Sequence, residues 1–317
     1  MSVVMAVYNR SNILRFVLDS LRAQTRTDWE LIAVGDACTD DSGEVVASYG
    51  DPRFHWINLP RNHGEQSGPN NEGLQRARGR YIAFLNHDDL WLPNHLEVLV
   101  SAIEETGADL VFSLVALVQP EGPSILGGAG ETGRYEPQMS VPASTWLLRR
   151  ELIDRVGGWR SYRDCLLPPS QDWLRRAWKA GADLRAVSSL GVLAIQSGGR
   201  ARSYAERQDD EHARLAARLA RDSRFVEREL TAMAVRHAAV DPIYGSSTAI
   251  RPYVVRALKN AGRAVLRLAG LHSDEVRMRL MGRRGRYIDK LRRTRGLPEL
   301  PRRRAHRPSL DLQQSEE

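Results

Sequence analysis

The sequence predicts an α/β fold: a mostly parallel sheet with helices on both faces. Three observations carry this reading. Short apolar runs recur at strand length, at residues 2–7, 29–34 and 81–85. Each run ends in a polar patch: Tyr8-Asn9, then Asp36 within Gly35-Asp36-Ala37-Cys38-Thr39-Asp40-Asp41, then Asn86-His87-Asp88-Asp89. Segments of helical spacing stand between the runs. Continuous apolar strands alternating with amphipathic helices are covered on both faces, and the polar patches then gather at the strands' carboxyl ends.

The elements follow in order. After Tyr8-Asn9, Leu14, Val17, Leu18 and Leu21 recur at helical spacing, with Ser11 or Asn12 as the cap. A short helix follows Asp40 and runs through Val46. Residues 54–59 form a third strand, ended by Pro60, and residues 70–78 a helix leading into the strand at 81–85. Pro93 suits a first helical position, with Leu96, Leu99, Val100 and Ile103 as the buried stripe. Residues 109–118 return as a strand, and the Gly- and Pro-rich stretch 119–135 is a loop or irregular hairpin. A strand at 145–148, a helix at 150–156 closed by Gly157-Gly158, a helix at 172–180 ended by Gly181 and a strand at 190–195 complete the pattern. This predicts an α/β domain over 1–205 and a helical, Arg-rich extension over 206–317 with a disordered end.

Composition narrows the class. The chain has 317 residues, 42% of them hydrophobic, enough for a sizeable core. Cys38 and Cys165 lack metal-ligand spacing and read as reduced thiols of a cytosolic protein. The chain opens directly on a strand without a leader pattern, and no apolar run has the length of a membrane span. The net charge of +7 is unevenly placed: residues 251–317 carry 18 Lys and Arg against 7 Asp and Glu, so the body is slightly acidic.

The polar patches carry the chemistry. Asp88 and Asp89 follow an apolar strand and precede a proline-led helix, a place where carboxylates hold a hard cation against a diphosphate. Asp89 could equally cap the helix or tie down the loop. His87 could be a ligand or a packed, hydrogen-bonded loop histidine. Asp36, at a strand end, can accept from a nucleobase imide or a ribose hydroxyl, or form a local turn. Asp172, in Ser170-Gln171-Asp172-Trp173, sits at a helix start. There it could take a proton from an attacking hydroxyl or simply complement the helix dipole. Trp159 and Trp173 could stack on a sugar ring or lie in the core.

These residues carry a resemblance. Val3-Val4-Met5-Ala6-Val7-Tyr8-Asn9-Arg10, Leu21-Arg22-Ala23-Gln24-Thr25, Trp29-Glu30-Leu31-Ile32 and the loop 36–41 form its first part. Asn71-Glu72-Gly73-Leu74, Gly79-Arg80-Tyr81-Ile82-Ala83-Phe84-Leu85 and Asp88-Asp89-Leu90-Trp91 form the second. In this order they resemble the family 2 glycosyltransferases of the GT-A fold, closely over residues 1–115 and more weakly to about 200. The resemblance implies an inverting transferase that takes a nucleotide-diphospho-sugar, a UDP-sugar foremost, with Mg²⁺ or Mn²⁺. It implies that Ala6, Tyr8 and Asp36 line the nucleoside pocket, that Asp88 binds the metal and that Asp172 is the base; Asn71 and His87 are further candidates for the donor site and Asp89 for the metal. Asn86 stands where the family's acidic cluster opens with Asp, and Gln171 where Glu precedes the base.

In the tail, Val254, Leu258, Ala261, Val265 and Leu268 fall on one helical face and Arg256, Lys259, Arg263 and Arg267 on another. This suits an anionic membrane surface, or a helix packed on the domain with a solvated basic face. Nucleic acid is the weaker partner, since the tail is aromatic-poor and carries no reading motif. The expectation is a cytoplasmic enzyme of surface-polysaccharide or glycolipid synthesis, peripheral on the inner face of the plasma membrane, with a glycan or lipid-linked acceptor. The competing reading is a non-catalytic nucleotide-sugar or glycan-binding protein recruited by its basic tail. A dinucleotide-binding dehydrogenase is excluded by the glycine-free turn Tyr8-Asn9-Arg10-Ser11.

Overall fold

The computed structural model describes residues 1–121, 124–128, 130, 132–195, 197, 200–240, 276, 284–298 and 300. The amphipathic pattern at 254–268 lies outside them. The first half alternates as expected: β1 (Ser2–Val7), α1 (Ser11–Arg22), β2 (Glu30–Gly35), α2 (Ser42–Ala47), β3 (Phe54–Asn58), α3 (Ser67–Arg76) and β4 (Tyr81–Phe84). Then come β5 (Asp89–Trp91), α4 (His95–Thr106), β6 (Leu110–Leu117), β7 (Ile125–Gly127), a 3-10 turn (Ala143–Thr145) and β8 (Trp146–Arg149). The described chain continues through α5 (Glu151–Val156), α6 (Pro169–Lys179), β9 (Leu184–Ala194), α7 (Asp210–Arg221), α8 (Phe225–Val240) and α9 (Arg286–Thr294).

The strands form one sheet in the order β3-β2-β1-β4-β8-β6-β9-β5, with β7 paired to β6. β3, β2, β1 and β4 are parallel, as are β6 and β9. β8 runs antiparallel between β4 and β6, and β5 runs antiparallel against β9. Several elements depart from the local reading: α3 starts at Ser67 rather than at 70, β9 starts at Leu184 rather than at 190, and Pro93 precedes the cap of α4 instead of opening the helix. Asp89 opens a short strand rather than capping α4, because its segment finds a partner in β9. The helix before Gly181 starts at Pro169, three residues earlier than expected; proline suits the first turn, where no N–H is needed.

Side chains alternate across the sheet and build two cores. Val3, Met5, Leu31 and Ala33 face α1 and α4, together with Leu215 and Phe225 from α7 and α8. Val4, Ile32, Val34, Phe84 and Phe112 face the other way, onto Trp146, Trp159 and Trp173. Trp146 stacks on Trp159 at 5.8 Å and on Trp173 at 5.9 Å, and Phe84 meets it edge-on at 6.1 Å. Trp159 and Trp173 are therefore core residues, not sugar platforms. Asp40 ties the starts of two helices: Oδ2 accepts from the Ser11 amide at 3.0 Å and Oδ1 from the Ser42 hydroxyl at 2.6 Å.

Trp146 is fully buried at the centre of this aromatic stack. Trp146→Ala is expected to lower stability by about 3–5 kcal/mol, read as a fall in the urea midpoint.

Candidate active site

The polar patches after β1, β2 and β4 meet at one cavity of about 470 Å³ at the carboxyl ends of these strands. Its floor includes Ala6, Tyr8, Asp36 and residues 86–89. One wall comes from Ser140, Pro142 and Ala143 with Pro168 to Gln171, ahead of and inside the first turn of α6. The roof is Tyr204 together with α9 and the turn that follows it.

The loop after β4 is fixed from below by Asp89. Its Oδ2 accepts from Asn86 Nδ2 at 2.8 Å and from Ser144 Oγ at 2.5 Å, and its Oδ1 from the Ile195 amide at 3.2 Å. Burial, with the field of Asp88, pushes the Asp89 carboxyl up to about 7. Three of its acceptor positions thus serve the protein. Asp88 stands differently. Burial opposes its ionisation, yet the Arg295 and Arg10 guanidiniums hold its carboxyl below the usual carboxylate range. His87 is bonded on both nitrogens: Nδ1 donates to the Ala6 carbonyl at 2.8 Å, so Nε2 accepts from Tyr204 Oη at 2.9 Å. Burial pushes its pKa down, and the neutral ring fastens the β4 loop to the end of β1.

Asp36 is buried and organises the neighbouring loop. Oδ1 accepts from the His63 amide at 2.7 Å and from His63 Nδ1 at 3.0 Å, and Oδ2 from the Gly64 amide at 2.9 Å. This brings Gly64, Glu65 and Gln66 to the cavity wall. Desolvation pushes the Glu65 carboxyl up to about 7, although the Ser67 hydroxyl and amide bond it.

Two other residues singled out in the sequence stand outside the cavity lining. Asn71 forms a reciprocal amide pair with the backbone of Trp159, at 2.9 and 2.8 Å, and a Cβ on Gly158 would lie 2.7 Å from its Oδ1. Asp172 directs Oδ2 at Arg176 Nε, 3.0 Å away, while the same guanidinium donates to the Val156 and Gly158 carbonyls. Its neighbours Ser170 and Gln171 do line the cavity. Gln171 brackets the Val141 backbone, accepting at 3.2 Å and donating at 2.8 Å.

Residues 2–156 match the family model described as Glycosyl transferase family 2. This part of the chain belongs to that family. Among curated relatives, a succinoglycan biosynthesis protein, ExoO, of Rhizobium meliloti is 33% identical over 44% of this chain and 40% of its own length. The UDP-Glc:alpha-D-GlcNAc-diphosphoundecaprenol beta-1,3-glucosyltransferase WfgD of Escherichia coli is 30% identical over 35% of this chain and 44% of its own. The chain therefore spans less than half the length of either relative. Solved structures share the fold. TarS of S. aureus (residues 1–349), in complex with UDP-GlcNAc, has a TM-score of 0.54 at 19% identity, covering 79% of this chain and 76% of that one. The mannosyltransferase PcManGT of Pyrobaculum calidifontis, in complex with GDP-Man and Mn²⁺, scores 0.51 at 16% identity, covering 92% and 86%.

Family 2 transferases generally use a divalent metal. Among the described residues no group of three His, Cys, Asp or Glu side chains could hold one. Asp89 is largely engaged by the protein, so the Asp88 carboxylate and the neutral Asn86 Oδ1 are the freer oxygens. That set fits an ion shared with substrate phosphates, since Mg²⁺ commonly takes one or two carboxylates and completes its shell from phosphate and water.

Sequence reasoning did not find Glu65, Ser140, Tyr204 or the α9 residues. Tyr204 and α9 reach the cavity only through long-range packing and have no local signature. Glu65 could have been noticed as an acid in a Gly-rich turn after a strand.

Glu65 generates a pH prediction. Its pKa is raised from an ordinary 4.5 to about 7, so the folded state binds the extra proton between these values. Stability then falls as pH rises across that window and levels off above it. Glu65→Gln is expected to flatten this slope by one proton, measured by urea unfolding at a series of pH values.

Proposed function

We propose that the chain transfers a sugar from a nucleotide-diphospho-sugar to an acceptor hydroxyl, with inversion, in the synthesis of a surface polysaccharide or glycolipid. The observation that carries this is the convergence of Tyr8, the Asp36-organised loop, Asp88 and the Ser170-Gln171 turn on one cavity. In this reading the nucleoside lies against Tyr8 and the 62–66 loop, and the diphosphate lies by Asp88. A UDP-sugar is favoured by the relative and the structural neighbour whose names carry UDP; the GDP-Man neighbour makes guanine the alternative base. A lipid-linked acceptor is favoured by the diphosphoundecaprenol in the relative's name. The names of both relatives favour biosynthetic transfer over non-catalytic binding.

A bound Mg²⁺ or Mn²⁺, held by Asp88 and Asn86, would neutralise charge developing on the departing diphosphate. The remaining work falls to the protein. Inverting displacement needs one base, and Asp172 holds that role here: it follows two cavity-lining residues in the first turn of α6. Its pair with Arg176 must open for the carboxylate to reach an acceptor. The pair is an i,i+4 contact of two largely buried side chains, 16% and 20% exposed, so its opening needs a new partner for each, which a bound acceptor would supply to Asp172. Asp89 serves as an anchor beneath Asp88. His87 is assigned to orientation, because its nitrogens are both occupied. We place the enzyme in the cytoplasm, against the inner face of the plasma membrane through the basic residues 251–317.

The test is a donor screen by mass spectrometry, with the product's anomeric configuration read by NMR. Asp172→Asn is expected to lower kcat by about 10²–10⁴-fold with donor KM kept. An equally active variant removes Asp172 from the role of base, and a retained configuration removes the single-displacement reading.

A further inference from the structure

The helix α9 spans the mouth of the cavity and is bonded on three sides. The Gly285 amide donates to the Cys165 carbonyl at 3.3 Å, and Arg292 Nη1 donates to the Gly64 carbonyl at 3.0 Å. The Arg202 and Tyr204 amides donate to the Thr294 and Arg295 carbonyls at 2.8 and 3.3 Å. This strapping carries Arg295 into the cavity lining.

There it meets a second cation. The Arg295 guanidinium lies 5.6 Å from the centre of the Tyr204 ring, and that of Arg10 lies 4.9 Å from the same ring. Arg10 is buried and held by its terminal nitrogens, with Nη1 donating to the Ser203 carbonyl at 2.6 Å, although its Nε is buried without a partner. Arg295 is not so satisfied. Among the described residues its side chain makes no hydrogen bond or ion pair, and its Nε is buried without a partner. The two guanidiniums share the field of the Asp88 carboxylate, while burial favours the protonated form of Asp89 beneath it. A partly buried, unpaired guanidinium is costly unless an anion joins it. Its planar fork matches phosphate oxygens in pairs, which an ammonium does not.

We propose that Arg295 binds the diphosphate of the donor directly, from the C-terminal side of α9, adding its positive charge to that of a metal held at Asp88. The inference rests on the nucleotide-sugar reading of the cavity. It makes α9 part of the active site and gives the C-terminal extension a role in donor binding separate from membrane contact.

The experiment is calorimetric titration of the full chain with UDP, UMP and uridine, and with GDP, GMP and guanosine, each with and without Mg²⁺. Wild type is expected to prefer a diphosphate over the matching monophosphate and nucleoside. Arg295→Gln is expected to weaken diphosphate binding by about 10–100-fold, the loss of a charge-assisted contact, and to leave nucleoside binding unchanged. Arg295→Lys is expected to recover part of the loss. Lys290→Ala, which removes an exposed cation from the same helix, is expected to bind like wild type. Diphosphate binding by Arg295→Gln equal to wild type overturns the inference. So does an equal loss of nucleoside binding, which would mark a structural role; should Arg295→Gln not fold, undiminished diphosphate affinity in Arg295→Lys, together with undiminished nucleoside affinity, overturns it. If wild type binds none of the six compounds, the donor reading itself fails and this inference falls with it.

Discussion

The geometry of the cavity depends on one buried carboxylate. Asp89 gathers the side chain of Asn86, the hydroxyl of Ser144 and the amide of Ile195, which belong to three distant stretches of chain. Ser144 extends the knot: its Oγ also accepts from the Asn86 amide at 3.0 Å, and its carbonyl accepts from Trp91 Nε1 at 2.7 Å. A buried polar cluster of this kind rigidifies when every member is paired and is costly when one is missing. Here it joins the end of β4, the turn before β8 and the end of β9. With Asp89 turned inward, Asp88 and His87 are left at the cavity floor.

The same division recurs around the pocket. At each strand end, part of the polar patch is spent on the protein to hold the loop, and the loop then offers backbone or a second side chain to the cavity. Asp36 holds His63 and Gly64, and so presents Glu65 and Gln66. His87 bridges Ala6 and Tyr204, and so ties floor to roof. Antiparallel β8, inserted between β4 and β6, brings the 140–144 wall beside the β4 loop. Charge is arranged on the same plan. The roof contributes Arg292 and Arg295, with Arg292 committed to backbone carbonyls and Arg295 open to the cavity.

Much of this was legible in the residues. The apolar runs gave β1, β2 and β4 almost to the residue, because strands buried on both faces leave an unbroken hydrophobic signature; the edge strand β3, only half-buried, was bounded instead by Pro60. The polar patches marked the cavity floor through Ala6, Tyr8, Asp36 and 86–89. β5 escaped notice: three residues beginning with an aspartate carry no periodicity, and only pairing with β9 makes them a strand. For the same reason Asp89 could be read as a helix cap, when its bonds reach Ser144 and Ile195. Asn71 belongs to a recognisable motif, yet its amide is engaged by the Trp159 backbone. Tyr204 and Arg295 lie in stretches of mixed polar sequence, and only packing across the whole chain brings them to the site.

Amide hydrogen exchange on the Asp89→Ala variant tests the central claim most directly. Faster exchange at the Asn86 and Ile195 amides, with protection kept across the β1–β2 ladder, is the result that a local Asp89 knot predicts. Unchanged protection at Asn86 and Ile195 in a folded variant would show that the cavity floor is held by something else, and would contradict the account.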